Sequence, residues 1–196
     1  MKRRLTGIIL IAAVGVAGVF LIWFGYRTYL KMAYPMRYQE YITRYAEEYQ
    51  VNPLLIRAVI RTESSFYERA VSSENARGLM QLKPETFEWA MTKVKIEQSY
   101  TQEDLFDPEI NIRFGTVTLK TLIDEFEDTD IALCAYHAGW GNVKSWLNNP
   151  KYSDDGKMLN EIPVDSTRSY VGKVREAMET YQRIYGSSIL EHPLYH

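Results

Sequence analysis

The chain has 196 residues, of which 46% are hydrophobic and 24% charged, a composition typical of a globular protein with length for one domain. The formal net charge of -2 leaves no basic surplus, so nucleic acid is not expected as a partner. A single cysteine excludes an internal disulfide bond, and three histidines leave little material for a zinc site. No metal or organic cofactor is expected.

The first predicted element is an uncharged apolar run at residues 5–24, in which Thr6 is the only clearly polar residue. A helix of that length spans about 30 Å, the thickness of a membrane's hydrocarbon core. Three basic residues precede the run and three aromatic residues gather at its far end: Lys2, Arg3, Arg4, Trp23, Tyr26 and Tyr29. This pattern predicts a single transmembrane anchor within residues 1–27, with a cytoplasmic N-terminus and the rest of the chain outside the cytoplasm.

Three other interpretations of the apolar run were weighed. A cleaved signal peptide would have a shorter apolar region, and although Gly15-Val16-Ala17 offers a small-residue cleavage site, the run continues through it. A lipoprotein would need a cysteine after the run, whereas the single cysteine is Cys134. A buried core helix would show a polar stripe. Cleavage stays open as the main alternative, and it would make the protein secreted.

Residues 28–45 are predicted to form a juxtamembrane linker and the start of a first helix that ends near Tyr49. A second helix begins at Asn52-Pro53, because asparagine can cap a helix and proline is tolerated at its first position. Apolar residues at three- and four-residue spacing carry this helix to about Glu63. Residues 64–78, which are polar and contain a glycine, favour a loop or a short hairpin.

Proline, aspartate and apolar spacing predict four further helices. They cover 84–89, a long stretch opened by Asp107-Pro108, 131–138 with Asp130 as the cap and Gly139 as the end, and 166–185 stopped by Gly186. No stretch alternates as a strand, so the fold class is mainly α with at most one small hairpin. We expect one domain at 46–186 and a surface tail without a motif at 187–196.

Glu63 is the carboxylate with the most interesting position. It follows the apolar stretch 54–60 and lies on the third turn of a helix whose neighbouring residues are expected to be buried. Apolar surroundings disfavour the charged form, raise the pKa and let a glutamate hold a proton near neutral pH. Such a group can protonate a leaving oxygen. The alternative is a glutamate that faces water at the end of a helix.

Five short motifs follow one another along the chain, and Glu63 belongs to the first of them. They are Glu63-Ser64, Gly78-Leu79-Met80-Gln81, LFDPEINIRFG at 105–115, AYHAG at 135–139 and TRSYV at 167–171. With these motifs in this order, residues 51–171 resemble the catalytic domain of the soluble lytic transglycosylases (SLT), which are relatives of goose-type lysozyme. The resemblance implies a lysozyme-like fold preceded here by one transmembrane helix.

The resemblance also implies an activity. Members of the family cleave the β-1,4 bond between N-acetylmuramic acid and N-acetylglucosamine in peptidoglycan without water. The glutamate that matches Glu63 acts first as an acid and then as a base, so that the muramic 6-hydroxyl closes a 1,6-anhydro ring. This explains why no second catalytic carboxylate is needed, unlike in standard glycosidase pairs. Peptidoglycan strands and the cytoplasmic membrane are therefore the expected partners.

The matched motifs supply the other expected site residues. Substrate binding is expected from seven of them: Ser64, Gly78, Met80, Gln81, Tyr136, His137 and Tyr170. Two positions depart from the family pattern, since His137 replaces the usual asparagine and Ser166 a frequent glutamate. Two alternative functions stay open. A lysozyme-type hydrolase that releases reducing ends would also use a glutamate acid, and the two departures leave open a wall-binding or assembly module without catalysis.

Overall fold

The computed structural model describes the backbone of residues 2–95 and 98–189 and the side chains of residues 13–95 and 98–186. It divides the chain into two units, with the boundary between Pro35 and Met36. Within the described residues there are eight α-helices, a short 3-10 helix and isolated β-bridges but no strand, so the predicted mainly α fold class is confirmed.

The first unit is the helix α1 (Lys2–Ala33). Its part Ala13–Ala33 is long and apolar enough to cross a membrane, and none of that part is buried. The predicted apolar helix is therefore present, but it is longer than the predicted run 5–24 and extends into the predicted linker. Its end has a simple cause, because Pro35 disfavours a helical conformation for the residue before it.

The second unit begins with α2 (Gln39–Tyr49) and α3 (Pro53–Ser64). The Asn52 side chain accepts a hydrogen bond of 2.8 Å from the Leu54 N–H, and Pro53 occupies the first turn, as the sequence predicts. Every residue of α3 from Pro53 to Ile60 is buried. The central helix of the domain thus carries Glu63 on its last turn, where the chain leaves the core.

A compact turn follows α3, with β-bridges from Arg77 to Val71 and to Leu82 instead of a regular hairpin. Gly78 lies in this turn at φ 75°, and a Cβ atom there would come within 2.1 Å of the Leu105 carbonyl oxygen. Any larger residue at position 78 would therefore be excluded both by conformation and by space.

Asn111 joins this turn to the next long helix. Its side chain is fully buried and makes three hydrogen bonds to the backbone. Its Oδ1 accepts from the Met80 N–H at 2.7 Å, while its Nδ2 donates to the carbonyl oxygens of Arg77 at 3.0 Å and Leu105 at 2.8 Å. Because buried backbone groups need partners, this one amide fixes the position of the Gly78–Gln81 turn.

The rest of the second unit is helical. The elements are α4 (Pro84–Met91), the 3-10 helix (Gln102–Phe106), α5 (Pro108–Phe126), α6 (Thr129–Ala138), α7 (Trp140–Leu147) and α8 (Asp165–Ile189). A core cluster lies between α4 and α5 and consists of Leu82, Phe87, Ala90, Leu105, Phe114 and Val117. Helix α8 packs on α3 and α6, which brings the end of the domain against the helix that carries Glu63.

Two predicted boundaries were wrong, and one helix was not predicted. The cap of α6 is Asp128, whose Oδ1 accepts from the Ile131 N–H at 2.9 Å, while Asp130 lies inside the first turn. Helix α8 does not stop at Gly186 but continues to Ile189. Helix α7 was not predicted at all, because Gly139 alone separates it from α6. Of the predicted tail, residues 190–196 lie outside the described residues.

Candidate active site

A cleft of about 1010 Å³ runs across the second unit, which is large for a small-molecule site and suits an extended ligand. Its walls are one face of α4, one face of α5, the turn around residues 72–76 and the segment 135–140. Four of the predicted site residues line it: Glu63, Gln81, Tyr136 and His137. The cleft therefore unites residues from three of the five sequence motifs.

The Glu63 carboxyl lies largely out of water at the base of this cleft. Burial raises its pKa from the ordinary 4.5 to about 7, while the Tyr170 hydroxyl acts in the opposite direction and lowers it. The carboxyl is therefore close to half protonated at neutral pH. A group in this state can give up a proton and take one back under the same conditions.

Tyr170 stands behind Glu63 on α8 and is buried. Burial and the nearby Glu63 carboxyl keep its pKa well above 10, so the hydroxyl remains a donor. Of the buried polar side-chain atoms in the described residues, this hydroxyl is the one that has no partner with hydrogen-bond geometry. It is close enough to Glu63 to lower that group's pKa, and it is thus poised to donate when the carboxyl becomes charged.

Tyr136 approaches Glu63 from α6. Its hydroxyl donates a hydrogen bond of 2.7 Å to the Met80 carbonyl oxygen, so α6 is tied to the Gly78–Gln81 turn. Burial, and after it the Glu63 carboxyl, raise the pKa of Tyr136 well above its ordinary value. Tyr136 accordingly stays neutral and fixes the geometry of the cleft beside the acid.

His137 forms part of the cleft wall at the position where the family pattern has asparagine. Its ring stacks on Tyr170 with 4.6 Å between the ring centroids, and its Nδ1 lies 3.1 Å from the Thr167 Oγ1. Burial lowers the pKa of His137 from 6.5, although Glu74 opposes this change. The imidazole is therefore mostly neutral at pH 7 and presents an uncharged ring to the cleft.

Gln81 lines the cleft in a left-handed backbone conformation at φ 48°. Its Nε2 donates to the carbonyl oxygens of Ala70 at 3.1 Å and Gly78 at 2.9 Å. Since both amide hydrogens are used within the turn, the Gln81 Oε1 is the atom that can accept a hydrogen bond from a ligand N–H.

The other predicted substrate-binding residues support the cleft from outside it. The Ser64 Oγ donates to the Ile60 carbonyl oxygen of its own helix at 3.2 Å, and the Met80 side chain is fully buried against Gly115. Gly78 is buried in the turn, and Tyr170 lies behind His137. The Met80 side chain therefore packs inside the domain, and substrate binding by these four residues stays a prediction.

Sequence reasoning missed several residues of the cleft wall. Among them are Trp89 on α4, Glu125 on α5 and Trp140 on α7. No motif marks these positions. The one available signal was spacing, because residues four positions apart lie on the same face of a helix. Three residues of the cleft have this spacing: Glu85, Trp89 and Lys93.

Three more carboxylates line the cleft, and all of them are exposed: Glu74, Glu85 and Glu125. Lys83 pairs with Glu74 and lowers its pKa, and the Lys144 Nζ lies 2.5 Å from the Glu125 Oε1. Within the described part of the chain, no three histidine, cysteine, aspartate or glutamate side chains form a group that could hold a metal ion. Glu63 is thus the carboxyl of this cleft whose surroundings favour the protonated form.

The raised pKa of Glu63 predicts how stability depends on pH. The pKa of Glu63 is 4.5 in the unfolded chain and about 7 in the folded protein. Between these two pH values the folded protein holds a proton that the unfolded chain releases, so this group lowers the free energy of unfolding as pH rises. Above pH 7 the free energy of unfolding is lower by about 3 kcal/mol because of this group, at 1.36 kcal/mol per pKa unit. Glu63→Gln is expected to gain about that much stability over the wild type between pH 4 and pH 8, measured by urea unfolding.

The control for this measurement is Glu85→Gln, an exposed glutamate of the same cleft. The difference in the free energy of unfolding between Glu85→Gln and the wild type is expected to be the same at pH 4 and pH 8, because the Glu85 side chain is exposed in the folded protein. A Glu63→Gln variant whose advantage does not grow with pH would contradict the burial of the charged form.

The fold and the site define a lysozyme-like domain built around one buried acid. The model of the transglycosylase SLT domain family matches residues 40–159, which is more than half of the chain. The chain belongs to this family.

Individual relatives agree with this assignment. The chain is 32% identical over 157 residues to the soluble lytic murein transglycosylase of Salmonella typhimurium, covering 79% of this chain and 24% of that protein. It is 31% identical over 176 residues to membrane-bound lytic murein transglycosylase C of Edwardsiella ictaluri, covering 76% and 47%. The chain thus spans about a quarter to a half of the length of these relatives.

A solved structure is similar as well. The X-ray structure of an inactive mutant of the lytic transglycosylase Slt from Pseudomonas aeruginosa superposes with a TM-score of 0.68 at 31% identity. The matched region covers 79% of this chain and 25% of that one. The sequence-based recognition of the family and of its lysozyme-like fold is confirmed.

Proposed function

We propose that this protein is a peptidoglycan lytic transglycosylase that cuts the β-1,4 bond between N-acetylmuramic acid and N-acetylglucosamine without water. The observation that carries the proposal is the Glu63 carboxyl, which lines a large cleft and whose pKa is raised by burial to about 7. The named activities of the relatives support the same reaction.

In the first step, the protonated Glu63 gives its proton to the glycosidic oxygen, and the bond from that oxygen to C1 of the muramic residue breaks. The N-acetylglucosamine side leaves with a 4-hydroxyl group. The substrate's own acetamido group stabilises the positive charge at C1. Glu63 is then a carboxylate, and the Tyr170 hydroxyl, which lowers its pKa, stabilises that charged form.

In the second step, the Glu63 carboxylate takes the proton from the muramic 6-hydroxyl, whose oxygen attacks C1 and closes the 1,6-anhydro ring. Glu63 is protonated again, so the cycle consumes no water and no net proton. A pKa near 7 suits both steps, because a group of that strength is neither a poor acid nor a poor base at neutral pH. One carboxyl therefore suffices where hydrolytic glycosidases use a pair.

The test is the mass of the products. Purified peptidoglycan would be digested with the full chain in detergent micelles, and the released fragments weighed by mass spectrometry. The proposal expects fragments that end in anhydro-muramic acid, lighter by one water than hydrolysis products. Reducing ends would instead make the protein a lysozyme-type hydrolase, and glycan binding without any release would indicate a wall-binding module.

The proposal includes a location. Helix α1 would anchor the protein in the cytoplasmic membrane as a single span, with its basic end in the cytoplasm and the second unit on the cell-wall side. Two observations support it: the exposed apolar stretch Ala13–Ala33 and a relative named as membrane-bound.

Cysteine labelling tests this topology. The native Cys134 is buried, and burial raises the pKa of its thiol to about 12, so it is expected not to react with a maleimide. In intact spheroplasts, a membrane-impermeant maleimide is expected to label Asp154→Cys, at an exposed position of the second unit, but not Lys2→Cys. Lys2→Cys is expected to react only after the membrane is permeabilised.

The unsubstituted chain is the control for labelling of Cys134. Loss of the Lys2→Cys site from the mature protein would show that the N-terminal segment is cleaved, which contradicts the anchor. Equal labelling of both variants in intact spheroplasts would contradict the proposed orientation.

A further inference from the structure

Trp140 is a large aromatic side chain with no evident packing role. It is the first residue of α7, it lines the cleft, and it is 50% exposed. Trp89, which also lines the cleft, is by contrast partly buried and packs against the core cluster of α4 and α5. A half-exposed indole ring on the wall of a cleft is typical of a side chain that contacts a ligand, because binding removes the apolar surface of the ring from water.

The orientation of the Trp140 ring is fixed by its own helix. The Lys144 Nζ, one turn later, lies 5.4 Å from the centroid of the indole ring. Lys144 is held in turn by Glu125 at 2.5 Å and lies 5.0 Å from the Phe126 ring centroid. A cation over an aromatic face is attracted to it, so Lys144 covers part of Trp140, and the half of the side chain that stays exposed is available to a ligand.

The backbone places Trp140 on the wall of the cleft that also contains Glu63. Gly139 connects α6 to α7 at φ 90° and ψ 143°, a conformation that other residues rarely adopt, although a Cβ atom there would meet nothing within 4 Å. The turn brings Trp140 directly after the cleft residues Tyr136 and His137. Trp140 lies four positions after Tyr136, so their Cα atoms are at most about 14 Å apart.

The surroundings of Trp140 indicate the chemistry of the ligand. The flat face accepts an apolar surface, while Thr121 and Glu125, which line the same cleft from α5, supply oxygen atoms that accept hydrogen bonds. A pyranose ring has both features, with C–H bonds on its faces and hydroxyl or acetamido donors on its rim. We propose that Trp140 is the stacking platform of an N-acetylhexosamine subsite next to Glu63, an inference that rests on the proposed function.

The experiment measures binding apart from turnover. The full chain carrying Glu63→Gln, in detergent micelles, would be titrated calorimetrically with the hexamer of N-acetylglucosamine. Adding Trp140→Ala is expected to weaken binding about tenfold, because the stacking contact and its buried area are lost. Adding Trp140→Phe is expected to restore binding to within about threefold of the parent, because a flat aromatic face remains.

The matched control is Trp146→Ala, a tryptophan on the same helix that does not line the cleft, and its affinity is expected to equal that of the parent. Near-ultraviolet circular dichroism checks that each variant is folded. Equal affinities of the parent and Trp140→Ala would overturn the subsite, as would a parent that does not bind the hexamer. Failure of the proposed function looks different, since the wild type would then release no anhydro ends while Trp140 still governed binding.

Discussion

Replacing Glu63 with glutamine is expected to lower the rate of anhydro-muramic acid release by about 10³-fold or more. The amide has nearly the same shape, but it can neither give a proton to the glycosidic oxygen nor take one from the 6-hydroxyl. General acid or base catalysis by one side chain contributes about 10²–10⁴ in rate, and Glu63 is proposed to act in both capacities. The measurement is a time course of product release quantified by mass spectrometry.

Gln81 and Tyr136 stay in place in this variant, so binding of the glycan is expected to survive the loss of turnover. The control is again Glu85→Gln, which removes an exposed carboxylate from the same cleft and is expected to keep nearly full activity. Activity within tenfold of the wild type in Glu63→Gln would move the catalytic role to another residue.

The second large effect is expected on stability. Asn111→Leu keeps the size of the side chain but leaves the Met80 N–H and the carbonyl oxygens of Arg77 and Leu105 without their partner. Each unsatisfied buried group costs about 1–3 kcal/mol, so the free energy of unfolding is expected to fall by about 4 kcal/mol. For a domain of this size the melting temperature would fall by roughly 10 °C, measured by near-ultraviolet circular dichroism.

Asn142→Leu provides the comparison, because Asn142 is exposed and its Nδ2 makes a single hydrogen bond to the Ala138 carbonyl oxygen. Its melting temperature is expected to stay within about 2 °C of the wild type. If the melting temperature of Asn111→Leu were as high as that of this control, the Gly78–Gln81 turn would be held by contacts other than the buried amide.

Elements with local signals were predictable from the sequence. Helix α3 has an asparagine cap, a proline at its first turn and apolar residues at helical spacing, and the structure has it within one residue of the predicted bounds. Helix α7 was missed because glycine normally marks the end of a helix, whereas Gly139 here also begins the next one. At Gly186 the same rule failed in the other direction, because glycine is also tolerated inside a helix.

The candidate site was predictable to the extent that motifs describe it. Burial of Glu63 followed from the apolar residues before it, and the pKa of about 7 agrees with that reasoning. The roles of Asn111 and Trp140 could not be predicted, because they depend on which distant segments meet. An asparagine inside an apolar helix pattern and a tryptophan after a glycine carry no local sign of what they contact.

The packing of α8 against α3 also bears on when the proposed activity could begin. Tyr170 is 107 positions further along the chain than Glu63, so this part of the site depends on a contact of very high sequence separation. Closing the long stretch of chain between two such residues costs entropy before their contact can form. Until α8 docks, Glu63 lacks the Tyr170 hydroxyl that lowers its pKa and stabilises its charged form. If the protein has the function proposed above, a chain whose last helix has not docked is expected to lack a complete acid site.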